Sequence, residues 1–218
     1  VKKKYKKLKF VFCKDKTEYK MVFSYLNWNL IGSIASVCKR QGVNIIINIF
    51  FGSSINAARG IAAQVNNAIV SFSQNFMKAI DPQITKAYAN KNKDEFLNLI
   101  NIASKLSFSL LFVVSIPVIF NSNYILTLWL KNVPEYTVFF TNLVLIDALV
   151  SSLTDPILTG VQATGKVKLY QIVIGGLNLL NLPVSYIFLK VSPTPYIPFV
   201  VAVIISCAMG VGRMIIFK

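Results

Sequence analysis

Polar residues recur every three or four positions along one stretch of the chain: Asn29, Ser33, Ser36, Arg40, Asn44 and Asn48. That spacing places them on one face of a helix. A second set, Gln64, Asn67, Ser71, Gln74 and Lys78, repeats the pattern, with Ile61, Val65, Ile69, Phe72, Phe76 and Ile80 opposite. A shorter stripe holds Asp147, Ser151, Asp155 and Thr159, and Gln171, Asn178 and Ser185 sit seven apart. The chemistry these types serve is anion and sugar handling. A cation in a wet, low-dielectric cavity attracts phosphate or an acidic sugar, and Arg grips phosphate through two donors. Amides such as Asn44, Gln64 and Asn67 suit sugar hydroxyls. The other reading of each stripe is helix–helix packing, in which amides and hydroxyls bond between helices at about 1 kcal/mol or less each.

Charges sharpen the choice. A Lys, Arg or Asp at the centre of a bilayer costs at least ~2.5 kcal/mol and marks function by default. Arg40 lies on the first stripe and is expected to face a cavity. Lys39 is about 100° further round the helix, where it would face a neighbour. Asp147 and Asp155 are the acids set well inside apolar segments. Each would pair with Arg40 or Lys39, or take a coupling cation. Asp155 precedes Pro156, where a kink frees backbone carbonyls. Arg59 and Lys78 stand toward opposite ends of the second segment, where snorkelling to the headgroups is the alternative to a cavity role. The candidate substrate-binding set is thus Lys39, Arg40, Asn44, Arg59, Gln64, Asn67, Gln74 and Lys78. The candidate ion-coupling set is Asp147 and Asp155.

The elements that must hold these residues are membrane helices. Of the 218 residues, 55% are hydrophobic and 14% charged, against about 25% charged in soluble domains. Six segments reach the ~20 apolar residues that a span needs. They lie at about 21–51, 55–80, 103–120, 136–163, 167–189 and 195–217. The fold class expected is an all-α, polytopic bundle of about six transmembrane helices. Phe51-Gly52-Ser53-Ser54 reads as a turn, Asp81-Pro82 as the end of the second span, and 84–100 as an interfacial helix. Residues 124–130 read as a short interfacial piece. Gly32, Gly42, Pro117, Pro156 and Pro183 are candidate bend points.

Net charge is +15, and residues 1–20 alone hold nine Lys against two acids. Six spans put both ends on one side. That side collects 17 basic groups, counting Arg213, and the other side three, counting Arg59. The positive-inside rule makes the first side cytoplasmic. A soluble bundle would show no such bias.

Composition also excludes. The chain has no His, which removes His-based acid–base catalysis and His-containing zinc sites. Cys13, Cys38 and Cys207 form no CxxC pair. The basic surplus flanks apolar segments, so it does not describe a nucleic-acid face. No cofactor and no metal are expected. A membrane polymerase or sugar transferase needs a large outer loop or clustered loop carboxylates. The longest outer loop here, about 121–135, has Glu135 as its only acid. The chain opens at Val1 in a basic segment that reads as an internal loop of a longer protein.

Four stretches carry a resemblance: FSYLNWNLIGSIAS at 23–36, the block 50–96 that opens FFGSSINAARGIAAQVNNAIVSFSQNFMKAIDPQ, ILTLWLKNVPEYTVFF at 125–140, and GVQATGKVKLYQIVIGGLNLLNLPVSYIFL at 160–189. Together they resemble oligosaccharide flippases of the Wzx type, polysaccharide biosynthesis proteins of the multidrug/oligosaccharidyl-lipid/polysaccharide exporter superfamily. The resemblance implies a MATE-like transporter of two six-helix lobes around a central cavity, and this chain is similar to the second lobe. Residues 1–20 resemble the cytoplasmic loop between lobes, and 21–218 the lobe itself. The implied cargo is an undecaprenyl-diphosphate-linked oligosaccharide, moved across the bacterial inner membrane for O-antigen or capsule synthesis. The implied partners are that lipid-linked oligosaccharide, the bilayer, a proton or sodium ion, and the missing N-terminal lobe. Cavity cations are implicated in such proteins, an idea carried here onto Arg40 and its neighbours. A drug/cation antiporter of the same superfamily is the nearest alternative.

Overall fold

A computed structural model describes residues 16–217 of the chain. Seven helices succeed one another, and no strand occurs among the described residues. They are α1 (Lys16–Ala89), α2 (Lys93–Phe120), α3 (Ser122–Leu130), α4 (Thr137–Ser152), α5 (Asp155–Thr164), α6 (Val167–Val191) and α7 (Ile197–Phe217).

At about 1.5 Å per residue, α1 as one rod would be far longer than a bilayer is thick. It is not one rod. Gly52 breaks it with φ 78 and ψ −173, a conformation open to glycine. The two arms, 16–51 and 53–89, then run back along each other. Arg59 reaches the backbone carbonyl of Arg40 at 2.7 Å. Val43 and Ile47 of the first arm share a core with Ala58 and Ala62 of the second. The expected turn at 51–54 is therefore a sharp hairpin centred on Gly52.

α2, α6 and α7 are each long and apolar enough to cross a membrane. α4 and α5 together make another crossing, bent by 40° at their junction. By length and composition four helices, or five with the bent pair as one span, could cross a membrane among the described residues, and the Gly52 break divides the first of them into two arms. In α3, Tyr124, Leu128 and Trp129 are exposed. Aromatic residues of this kind favour the membrane–water interface.

Small residues set how closely the passes approach. The first arm of α1 runs parallel to α6. Gly32 faces Gly175 across the contact, and the Gln171 side chain lies where a Cβ on Gly32 would stand. Leu182 packs onto Gly42 in the same way. Gln171 also donates to Asn29 Oδ1 at 3.3 Å. The second arm of α1 packs antiparallel to α2 through a 2.5 Å contact between the hydroxyls of Ser73 and Ser107, both buried. α4 meets α7 through stacked rings of Phe140 and Phe199, with centroids 4.3 Å apart.

Several boundaries differ from the expectations. Residues 16–20, expected in a loop, already belong to α1. Residues 1–15 of that loop lie outside the described residues, as does Lys218. Asp81-Pro82 does not end the second pass. The helix continues through Pro82 to Ala89, because neighbouring helices anchor it there: Asp81 Oδ1 accepts from Thr159 of α5 at 2.9 Å, and Ile84 and Ala87 are buried in the main core. No separate interfacial helix spans 84–100; a turn at Asn90–Asn92 joins two long helices. Gly32 and Gly42 are contact points, and a 40° bend lies just before Pro156, in the first turn of α5.

Candidate functional site

The polar faces converge on a cavity of about 760 Å³ inside the bundle. Both arms of α1 line it, together with α2, α4, α5, α6 and α7. The first arm contributes Ser36, Lys39, Arg40 and Val43. The second contributes Arg59, Asn66, Asn67 and Gln74, and also Asp81. Asp147 comes from α4, Asp155 and Thr159 from α5, Asn178 from α6 and Arg213 from α7.

The charges are held in different ways. Arg213, with 11% of its side chain exposed, donates from Nη1 to Asp155 Oδ1 at 2.6 Å and to Thr154 Oγ1 at 2.9 Å. Asp155, with 57% of its side chain exposed, keeps its outer side open to the cavity. A buried cation is tolerable only with such partners, since removing one leaves an uncompensated charge at about 3–5 kcal/mol. Asp155 was expected to pair with Arg40 or Lys39, or to take a coupling cation. It pairs with Arg213 because the break at Leu153–Thr154 turns the start of α5 toward α7, where Gly210 also lets Thr154 approach. Arg59 donates to the Arg40 carbonyl, which ties the two arms of the hairpin, and lines the cavity wall. Lys39 and Arg40 have no ion-pair partner among the described residues. Both line the cavity, although Lys39 was expected to face a neighbouring helix. Asp147 presents a buried Oδ1 with no hydrogen-bond partner, as does the amide oxygen of Asn66.

The geometry thus gathers Lys39, Arg40, Arg59, Asn67, Gln74, Asp147 and Asp155 around one space. Asn44, Gln64 and Lys78 fall outside it. Lys78 is exposed and donates to Asn75 Oδ1 at 3.2 Å. The reason is rotational. The wall of the second arm follows Ala63, Val70 and Met77, one residue before Gln64, Ser71 and Lys78, so the polar stripe meets the cavity only along one edge. Arg213, Asp81 and Asn66 escaped the candidate list. Arg213 sits near the basic end of an otherwise apolar helix, where it counts as a topology charge until its partner is seen. Asp81 looks like half of a helix-stopping Asp-Pro pair.

The model of the MatE family matches residues 31–187, most of the chain and all of this cavity's walls except α7. The chain belongs to the MatE family. No curated protein and no solved structure matches it. The family is part of the multidrug/oligosaccharidyl-lipid/polysaccharide exporter superfamily, and its members are membrane transporters built from helices. The all-helical fold and the apolar helices are those of such a transporter.

Proposed function

We propose that the chain is one lobe of a flippase that moves an undecaprenyl-diphosphate-linked oligosaccharide across the bacterial inner membrane for O-antigen or capsule synthesis. The observation that carries this reading is the pair Lys39 and Arg40. They are cations without an ion-pair partner among the described residues, on walls shared with Asn66, Asn67 and Gln74. A diphosphate supplies the missing counter-charge, and the amides suit glycan hydroxyls. The polyprenyl tail stays in lipid while this lobe rocks against an N-terminal one. Residues 1–20 are read as part of the loop that joins the lobes, and the lysine bias supports a cytoplasmic position for both ends. Asp147, with its unpartnered buried oxygen, and Asp155 are the groups for proton or sodium coupling.

Drug/cation antiport is the second reading, favoured by the acids Asp81, Asp147 and Asp155 on the same walls. One experiment separates the two. Cells lacking the protein should accumulate lipid-linked oligosaccharide on the cytoplasmic leaflet and keep normal drug tolerance. Normal glycan export with raised sensitivity to cationic drugs would replace the flippase with the antiporter.

A further inference from the structure

At the end of the bundle away from the Gly52 hairpin, five helix ends meet: those of α1, α5 and α7 and the beginnings of α2 and α6. They form a second cleft of about 830 Å³, distinct from the central cavity. Its chemistry is two-sided. Lys91, Lys93 and Lys166 line it, each exposed, and so do Leu97, Leu169 and Phe217. No Asp or Glu is among the lining residues. The acids of the adjoining turn do not neutralise the lysines: Glu95 accepts from Asn92 Nδ2 at 2.9 Å, and none of the three lysines has an ion-pair partner among the described residues. Lys91 holds φ 58 in the Asn90–Asn92 turn, a conformation costly for a lysine. Three like charges around one cleft repel one another, and a bound anion relieves that repulsion.

A soluble anion would use only the lysines. The apolar wall needs a second kind of group, and Leu169, 59% exposed, leaves that wall open at the surface of the bundle. We propose that this cleft binds an anionic phospholipid of the surrounding bilayer, its phosphate on Lys91, Lys93 and Lys166 and its acyl chain against Leu97, Leu169 and Phe217. Basic pockets between membrane helices recognise acidic headgroups in this way. The binding is independent of the cargo of the central cavity.

The test is native mass spectrometry of the full chain in mild detergent, titrated with phosphatidylglycerol or phosphatidylcholine. Phosphatidylglycerol should remain bound and phosphatidylcholine should not. Each lysine neutralised should weaken binding roughly fivefold, and the triple variant K91Q/K93Q/K166Q about 100-fold. Lys131→Gln, at the opposite end of the bundle, should leave it unchanged. Equal retention of the two lipids, a triple variant that binds as well as the wild type, or displacement of phosphatidylglycerol by inorganic phosphate alone would each overturn the site.

Discussion

Arg213 and Lys166 carry the same charge in opposite settings. Arg213 is buried and clamped by Asp155 and Thr154. Lys166 is exposed at the basic end of the bundle, with no ion-pair partner among the described residues. The difference is what burial demands. A cation withdrawn from water must meet fixed oxygens, whereas one at a membrane surface is solvated and can wait for an anion from outside. The central cavity contains both kinds. Arg213 and Arg59 are held by hydrogen bonds to neighbouring helices, and Lys39 and Arg40 have no ion-pair partner among the described residues.

Asp155→Ala presses hardest on that contrast. It strands Arg213, and thermal unfolding of the purified protein should show a loss of about 3–5 kcal/mol. Adding Arg213→Met should restore most of that loss, since an apolar side chain of similar length needs no partner. If the single variant unfolded like the wild type, Arg213 would not be a framework charge.

A smaller effect probes the neutral part of the same framework. Ser73→Ala removes the bond to Ser107 that joins the second arm of α1 to α2. Its cost should be about 1 kcal/mol or less by the same measurement. A loss as large as that of Asp155→Ala would mean that hydroxyl pairing, not charge pairing, holds the lobe together.

Much of the fold was legible from the chain. Long apolar runs marked an all-helical, membrane-crossing chain, and the small residues at 51–54 marked the hairpin. The helix ends were not legible. Asp81-Pro82 has the local chemistry of a stop, but Thr159, 78 residues away, anchors the helix beyond it. The polar stripes of α1, α4 and α5 were visible because their period is helical, and they led to Arg40, Asn67, Asp147 and Asp155. The exact cavity face was not, since Gln64 and Lys78 miss it by a single residue of rotation. Arg213 was hidden most thoroughly. Its partner lies 58 residues back in the chain, and no local pattern connects the two. Its place beside Asp155 and the anchoring of Arg59 each remove one group from the tally of surface charges, leaving the lysine bias itself intact.

On the proposed function, Arg40 handles an anionic cargo and is not part of the framework. Arg40→Ala is suited to test it because the bond from Arg59 goes to the backbone carbonyl of residue 40, which the substitution leaves in place. The measurement is surface-polysaccharide export in cells carrying the variant, with its abundance in the membrane followed in parallel. Export should be abolished while abundance stays at the wild-type level. Normal export at normal abundance would contradict the account.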